Sequence, residues 1–231
     1  MKLEGKAVLI TGAKGGLGTF VTNAFLDAGA QVAGISRSIR DEDFPNSSFH
    51  AIAAELSSLD AARSAVNTAI QKLGRIDALV HLVGAFAGGA SIPEIDDATF
   101  ERMIDLNLRS AFHIVRATLP GMRAQGSGRI LAIGSKAAVE SQPLSACYSA
   151  SKAALVAFIR AVAAENRGRC ISANIVLPGT MDTPVNRSAS PEADYSKWVQ
   201  PQQVAAMLVH LASDEGAQVN GAAIPIYGRE V

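Results

Sequence analysis

Charge is scarce in this sequence, and neither sign is in excess. Only 18% of the 231 residues are charged, compared with about a quarter in typical globular proteins. The 21 basic side chains balance the 21 acidic ones, and there is no run of like charge. Proteins that bind nucleic acid or anionic membranes usually carry a basic patch. We therefore expect neither nucleic acid nor a membrane as a partner.

Cysteine and long apolar runs are also nearly missing. Cys147 and Cys170 form no CxxC motif, and the histidines have no metal-ligand spacing, so we predict no metal site and no disulfide framework. Both cysteines are expected to be small buried residues. The longest apolar run, Ala153 to Ala164, contains Arg160 and is shorter than the ~18 residues of a membrane span. The first residues are too polar for a signal peptide, which predicts a cytoplasmic protein.

Apolar stretches of strand length alternate with longer segments of helical period along the whole chain. This alternation is typical of an α/β protein with a doubly wound parallel sheet and helices on both faces. The length predicts a single domain over residues 1–231. The predicted strands span about 6–11, 31–36, 49–53, 77–83, 129–134, 171–177 and 222–227, and the predicted helices span about 16–28, 58–73, 97–124, 146–167 and 201–213.

The connections are short until residue 178, where a long polar stretch begins. It runs to residue 201, is interrupted by prolines, and contains the only tryptophan, Trp198. A loop of this length in a compact α/β domain is usually functional. We predict that residues 183–200 form a mobile lid over a substrate.

A glycine-rich segment, TGAKGGLG at residues 11–18, lies where the first predicted strand meets the first predicted helix. Glycines allow a tight turn and a close approach to a pyrophosphate, whose charge is met by the N–H groups at the start of the helix. The alternative is an ordinary strand-to-helix turn. We predict a dinucleotide phosphate site at Gly12, Gly16, Leu17 and Gly18.

The residues that follow the second predicted strand indicate which dinucleotide is bound. An acidic residue about 20 positions after the glycines would favour NAD, whereas arginine accommodates the 2′-phosphate of NADP. This chain has Ser36-Arg37 there and no acid, and Lys14 adds a second positive charge. We predict that NADP(H) is preferred over NAD(H). The alternative is that Arg37 and Lys14 are solvated surface charges.

Tyr148 and Lys152 lie four residues apart on a predicted helix and therefore share one face. An ammonium about 4 Å from a phenol is worth roughly 4 kcal/mol at an effective dielectric of ~20, which would lower the tyrosine pKa by a few units. Ser135 follows the fifth predicted strand, at the sheet edge where ligands bind. Its hydroxyl could donate to a substrate carbonyl while Tyr148 delivers a proton. The alternative is a pair exposed to solvent.

Five motifs together resemble the short-chain dehydrogenase/reductase family over essentially the whole chain: TGAKGGLG, Asn107 in DLNLRSAF, Ser135, YSASK, and Pro178-Gly179. The resemblance implies a Rossmann fold, Tyr148 as general acid/base, and Lys152 on the nicotinamide ribose. It also implies that Ser135 polarises the carbonyl and that Asn107 supports a water-linked proton relay. Further cofactor contacts implied by the resemblance are Glu55, Leu56, Gly84, Pro178, Gly179, Met181 and Thr183. A homo-oligomer, most often a tetramer formed through the helices near 97–124 and 146–167, is implied as well.

The sequence departs from the family at two places. An Asn-Asn-Ala-Gly segment is common after the fourth strand, but this chain has His81-Leu82-Val83-Gly84; we interpret His81 as a packed strand residue. The lid segment is similar to that of quinonoid dihydropteridine reductases, although these enzymes usually lack the serine and favour NADH. Tyr195 and Trp198 are predicted to stack on a flat substrate ring or, alternatively, to anchor the lid to the body.

The leading functional hypothesis is an NADP(H)-dependent enzyme that interconverts carbonyls and alcohols of small molecules. The alternatives are a pteridine reductase and a sensor that binds NADP without turnover. The complete set of Asn107, Ser135, Tyr148 and Lys152 argues against a sensor. A serine hydrolase is disfavoured because Gly34-Ile35-Ser36-Arg37-Ser38 lacks the last glycine of a GxSxG motif.

Overall fold

A computed structural model of the protein describes residues 3–229, and its strands form one parallel sheet of seven strands. The strand order is β3-β2-β1-β4-β5-β6-β7, so the order reverses between β1 and β4. The elements are β1 (Ala7–Thr11), α1 (Gly18–Asp27), β2 (Gln31–Ser36), β3 (Phe49–Ala53), α2 (Leu59–Leu73), β4 (Ala78–His81), α3 (Asp97–Ile104), α4 (Ser110–Gln125), β5 (Gly128–Ile133), α5 (Ala146–Glu165), β6 (Ile171–Pro178), α6 (Pro184–Ala189), α7 (Pro201–Ala212) and β7 (Ala223–Ile226).

Helices cover both faces of the sheet and create two apolar layers. On one face, α2, α4 and α5 pack against the sheet, while α1 and α7 pack against the other. Every residue of β1 and β6 is buried, which explains why both are predominantly apolar, with Thr11, Ser172 and Asn174 as their buried polar residues. The predicted fold class, a Rossmann-type doubly wound sheet with helices on both faces, is confirmed.

Local sequence signals account for the bounds of α2. The Ser58 side chain accepts a hydrogen bond from the Ala61 N–H at 3.2 Å, and Gly74 ends the helix with φ of +81°. The residues between them place one apolar stripe on the sheet. Its buried members are Ala62, Ala65, Val66, Ala69 and Leu73.

Three predictions about local structure need correction. The predicted helix 97–124 is divided by a π-helical turn at Asp105–Arg109. The polar stretch after β6 contains α6 and a short 3-10 turn at Tyr195–Lys197. The cysteines are not both buried, because Cys170 is exposed at the turn before β6 and Cys147 is only partly buried.

One helix in the described part of the chain, α5, is long and apolar enough to span a membrane by length and composition alone. It packs against β6, and 44% of its apolar window is buried inside the protein. Since helices that cover a sheet pass the same test, this feature is weak evidence for a membrane location.

Candidate active site

Many of the predicted site residues gather at one edge of the sheet because they end or follow parallel strands at their carboxyl ends. The glycine turn follows β1, Ser36 ends β2, Gly84 follows β4, Ser135 follows β5, and Pro178 ends β6. The reversal of strand order between β1 and β4 places the crevice at the centre of this edge. The edge is therefore where the fold offers a binding site.

The glycine turn has the geometry of a close backbone approach. Gly12 has φ of +71°, and a Cβ on it would lie 3.2 Å from backbone atoms of Leu82 and Val83. A Cβ on Gly18 would collide with the Gly12 carbonyl. Helix α1 starts after the buried Leu17 without a side-chain cap. The Thr19 N–H donates to the Gly15 carbonyl oxygen at 3.0 Å, and no side chain caps the other N–H groups of the first turn, which can therefore meet an anion.

Gly16 connects the glycine turn to the segment that follows β6. A Cβ on Gly16 would lie 3.8 Å from Cβ of Thr183, which is the nearest atom to it. Thr183 is buried and its side chain accepts a hydrogen bond from the Asn186 N–H, which caps α6. The start of α6 thus faces the glycine turn across the crevice.

The end of β2 carries the predicted determinants of the adenosine phosphate. Arg37 is exposed and makes no hydrogen bond or ion pair with any described residue. Lys14 behaves differently, because its ammonium lies 2.8 Å from the carboxylate of Asp43 and 3.2 Å from the Ser38 carbonyl oxygen. The Lys14 N–H donates to the Ser36 hydroxyl at 3.1 Å, which holds the glycine turn against β2.

The two residues predicted near the adenine have different environments. Glu55 is exposed after β3, whereas Leu56 is 6% exposed and packs in the apolar layer under α2. Leu56 therefore anchors the connection between β3 and α2. A contact of either residue with adenine stays a prediction.

Gly84, Asn107 and Lys152 meet at the carboxyl end of β4. A Cβ on Gly84 would lie 2.9 Å from Oδ1 of Asn107 and 3.1 Å from Nζ of Lys152. Any side chain at residue 84 would therefore displace one of these two polar groups. The fold brings the three residues together, although the sequence separates them by more than 20 positions.

Asn107 is fully buried in the π-helical turn, and its side chain holds the backbone of Ala85 in the segment that follows β4. Its Oδ1 accepts a hydrogen bond from the Ala85 N–H at 2.8 Å, and its Nδ2 donates to the Ala85 carbonyl at 3.0 Å and to the Ser151 hydroxyl at 2.9 Å. The extra residue of the π-turn accompanies this side chain, and π-turns are frequent at functional sites. The water-linked relay stays a prediction.

Ser135 and Tyr148 form the centre of the candidate site. Burial raises the pKa of the Tyr148 phenol, and a hydrogen bond with the Ser135 side chain acts in the opposite direction. This net direction differs from the expected lowering by Lys152. Ser135 also accepts from the Ala137 N–H at 3.1 Å, which fixes its hydroxyl at the start of the short turn after β5.

Lys152 is buried on α5 and points at the sheet. Its ammonium donates to the Ile133 carbonyl oxygen at 3.0 Å, and burial lowers its pKa to about 8. The ammonium therefore keeps most of its charge at neutral pH. Burial, and not the charge of Lys152, determines the direction in which the Tyr148 pKa is shifted.

His81 joins three elements behind the site. Its Nδ1 lies 2.8 Å from the Thr11 hydroxyl and its Nε2 lies 3.3 Å from the Ser110 hydroxyl. Because the Ser110 hydroxyl donates to the Leu106 carbonyl, it can accept only from an Nε2–H. Burial, followed by the charge of Lys152, lowers the His81 pKa to about 3. A neutral imidazole therefore braces β1, β4 and α4, and His81 is a packed residue as predicted.

The segment after β6 is held to the body by its ends. Pro178 and Gly179 leave the strand beside β7, where a Cβ on Gly179 would lie 2.8 Å from the Tyr227 carbonyl oxygen. Met181 pairs with Val199 in a parallel bridge. The two ends of the predicted lid are thereby joined to each other at its base.

Tyr195 and Trp198 contact each other within this segment. Their ring centroids are 4.8 Å apart, and Trp198 is only 7% exposed. The Tyr195 hydroxyl lies within hydrogen-bonding distance of the carbonyl oxygens of Arg187, Ser190 and Pro191. These contacts match the anchoring alternative, while stacking of either ring on a substrate stays a prediction.

The sequence reasoning missed Phe86, which touches the proposed acid. Its ring lies edge-on to the Tyr148 ring with centroids 5.0 Å apart, and it is 65% exposed. Leu144, which is also exposed, has φ of +61°, and its carbonyl accepts from the Gly89 N–H. The sequence shows only a phenylalanine two residues after Gly84, whereas its exposure and its contact with Tyr148 depend on the fold.

Together the doubly wound sheet, the glycine turn and the Ser135, Tyr148 and Lys152 group define a nucleotide-binding α/β oxidoreductase. A comparison with protein families gives the same class: the model described as short chain dehydrogenase matches residues 6–194. The chain therefore belongs to the short-chain dehydrogenase family.

Known proteins with the same fold agree with this assignment. The chain is 32% identical to a 3-oxoacyl-[acyl-carrier-protein] reductase from Thermotoga maritima, with 99% of this chain and 98% of that protein covered. It is 30% identical to an acetoacetyl-CoA reductase from an Acinetobacter species, with 97% of each covered. A 3-ketoacyl-(acyl-carrier-protein) reductase from Brucella melitensis, solved in complex with NADH, superposes with a TM-score of 0.89 at 26% identity over the whole of both chains.

Proposed function

We propose that the protein is an NADP(H)-dependent oxidoreductase that interconverts a carbonyl and an alcohol on a small molecule. The observation that carries this proposal is the grouping of Ser135, Tyr148 and Lys152 at the crevice formed by the glycine turn. The names of the relatives support a carbonyl as the reducible group, since they describe reductases of acetoacetyl-CoA and of 3-oxoacyl chains.

The crevice fits a dinucleotide. Glycines stand where side chains would fill it, and a Cβ on Gly84 would press on Lys152. The glycine turn would hold the diphosphate, Lys152 the ribose next to the nicotinamide, and Thr183 the carboxamide side. When bound, the nicotinamide cofactor supplies or accepts the hydride.

The protein's own groups handle the proton. Burial keeps the pKa of Tyr148 above its ordinary value, so its phenol is protonated at neutral pH and can donate to a substrate oxygen in the reductive direction. The Ser135 hydroxyl can donate a second hydrogen bond to the same oxygen, where negative charge develops. The Tyr148 proton is then replaced from solvent, for which Asn107 is the proposed support.

Arg37 carries the preference for NADP(H) in this proposal. Its guanidinium has no partner among the described residues, and arginine is suited to bidentate phosphate recognition. We expect calorimetric titration to give a much lower Kd for NADPH than for NADH, and Arg37→Asp to abolish this preference. Arg63→Asp on α2, where Arg63 is also exposed, is the matched control. Equal affinities in the native protein, or an unchanged ratio in Arg37→Asp, would contradict the assignment.

Turnover distinguishes an enzyme from a sensor. We expect NADPH oxidation with at least one member of a panel of 3-oxoacyl thioesters, ketones, aldehydes and quinones. Quinonoid pterins belong in the same panel, because activity confined to them would favour the pteridine reductase alternative. Tight NADPH binding without oxidation across the panel would favour the sensor.

A further inference from the structure

The two basic residues predicted to meet the 2′-phosphate are in different electrostatic states. Arg37 has no partner among the residues described, but Lys14 shares an ion pair with Asp43, whose Oδ1 lies 2.8 Å from the Lys14 Nζ. The Ser38 carbonyl oxygen, one residue beyond Arg37, also accepts from Nζ. The Lys14 ammonium thus lies beside the Arg37 backbone and is already paired.

Asp43 is held in place by the backbone around it. Its second carboxylate oxygen accepts from the Arg40 N–H at 2.9 Å, and its own N–H donates to the Arg40 carbonyl at 3.1 Å. The neighbouring Asp41 accepts from the Ala51 N–H at 2.7 Å, which ties the turn at 41–43 to β3. The carboxylate is therefore held by the backbone of its own turn as well as by Lys14.

An apolar anchor fixes the same turn. Phe44 follows it directly, is 3% exposed, and packs on Phe49 of β3 with ring centroids 4.7 Å apart. A turn held by a buried ring and by hydrogen bonds from the N–H groups of Arg40, Asp43 and Ala51 cannot move its Asp43 carboxylate away at low cost. A phosphate that approaches Lys14 would meet the negative charge of Asp43 there.

We propose that Asp43 is a specificity-determining residue that neutralises Lys14 and weakens NADPH binding, so that the preference for NADP(H) depends on Arg37 alone. A 2′-phosphate must compete with a fixed carboxylate for the same ammonium or bind next to two negative oxygens. NADH carries a hydroxyl at this position and is not affected. This inference rests on the proposed use of a nicotinamide dinucleotide.

The size of the effect follows from the exposure of the pair. The side chains of Lys14 and Asp43 are 40% and 25% exposed, and pairs of this kind are worth up to about 1 kcal/mol. Removal of the Asp43 charge should therefore lower the Kd for NADPH about two- to fivefold and change the Kd for NADH less than about twofold. The gain should diminish at high ionic strength because salt screens exposed charges.

Asp43→Asn is the appropriate variant because the amide oxygen can still accept from the Arg40 N–H. A double-mutant cycle compares four proteins: the native protein, Asp43→Asn, Lys14→Met and the double variant. Each is titrated calorimetrically with NADPH and with NADH. Lys14→Met should weaken NADPH binding less than about twofold in the native background and more than about threefold in Asp43→Asn. Asp60→Asn, whose side chain pairs with Arg63 on α2, is the matched control and should change neither Kd.

An unchanged or higher Kd for NADPH in Asp43→Asn would overturn the inference, because Asp43 would then be neutral or would help to position Lys14. If Asp43→Asn did not fold, the single variant Lys14→Met would decide, since a tenfold loss of NADPH affinity in it would mean that Lys14 is already available to the phosphate. The proposed preference for NADP(H) is tested separately: equal affinities of the native protein for NADPH and NADH would contradict that preference and not the role of Asp43.

Discussion

At the residue scale, we expect Tyr148 to contribute to turnover by donating the proton of its hydroxyl to the substrate. Its hydroxyl contacts Ser135 and its ring packs against Phe86, so removal of the oxygen leaves the ring packing intact. We expect Tyr148→Phe to lower kcat by about 10²- to 10⁴-fold with an unchanged Kd for NADPH. Stopped-flow oxidation and calorimetry measure the two quantities.

A near-native kcat in Tyr148→Phe would exclude this residue as the acid. Lys152→Ala is the informative comparison, because Lys152 contacts both the Ile133 carbonyl and the Gly84 region. That variant should lose turnover and cofactor affinity together.

His81 makes the stability of the protein sensitive to acid. Its pKa is about 3 in the folded protein and about 6.5 when unfolded, so the unfolded chain binds more protons between these values. The free energy of unfolding therefore falls as pH decreases from 6.5 towards 3. Urea titrations should show a loss of about 2 kcal/mol between pH 6.5 and 5 that is attributable to His81.

His81→Asn should remove this part of the acid dependence, since an amide can bond Thr11 or Ser110 without titrating. The control is His50→Asn on β3, where the side chain is only partly buried. Identical pH slopes in native protein and His81→Asn would show that His81 does not stay neutral in the fold.

Parts of the site could be predicted where the functional residues lie close together in the sequence. The glycine turn could be predicted from the spacing of its glycines, and Tyr148 and Lys152 from their separation of four residues. The carboxyl ends of parallel strands bring such separate segments together. Asp43 gave no signal because it reaches Lys14 from a turn 29 positions away. The upward shift of the Tyr148 pKa was missed because burial depends on packing that spacing does not reveal.

At the scale of elements, α6 is a helix of only six residues, too short to be stable alone. The guanidinium of Arg187 binds both carboxylate oxygens of Asp182 and lies 4.7 Å from the Tyr195 ring. We expect Arg187→Ala to speed hydrogen exchange in residues 183–200 and to raise KM. The midpoint of global unfolding should change little, because Arg187 and its contacts are outside the apolar layers.

Lys197→Ala is the control for that experiment. Lys197 belongs to the same segment but is exposed and lies 3.9 Å from Asp194. The hydrogen exchange of residues 183–200 in Lys197→Ala should equal that of the native protein. Unchanged exchange in Arg187→Ala would mean that Trp198 and the Met181–Val199 bridge alone hold the segment.

Hydrophobic periodicity in the sequence is sufficient to locate the strands of this fold. Strands in a sheet covered on both faces are predominantly apolar, and all seven predicted strands lie within about two residues of their observed bounds. The π-turn inside the predicted helix 97–124 was not foreseen, because its cause is the tertiary contact of Asn107 with Ala85 and Ser151. The order inside the proline-containing segment likewise comes from side-chain contacts rather than propensity.

At the scale of the whole molecule, the outer face of α5 presents a stripe of small exposed residues. Ala153, Ala157, Ala161 and Ala164 are exposed, while Ala154 and Ala163 are partly or fully buried. On α4, Phe112 is 42% exposed and contacts Phe158 of α5. A stripe of small residues beside an exposed aromatic ring allows close helix packing, and two-fold symmetric interfaces are the commonest. We predict a homo-oligomer, most simply a tetramer.

Light scattering at micromolar concentration tests this prediction. Ala157→Arg should lower the assembled mass by placing a charge in the centre of the stripe, whereas Asn67→Arg on the exposed face of α2 should not. A monomer mass for the native protein would refute the prediction.

The burial of Trp198 has an optical consequence. As the only tryptophan, it is the source of all indole emission, and its place between Tyr195 and the Met181–Val199 bridge makes that emission a local signal. If heat or urea frees the segment before the sheet melts, the emission maximum will move to longer wavelength while the far-ultraviolet circular dichroism is unchanged. A single unlabelled sample can thus separate the loosening of one surface segment from the collapse of the entire fold.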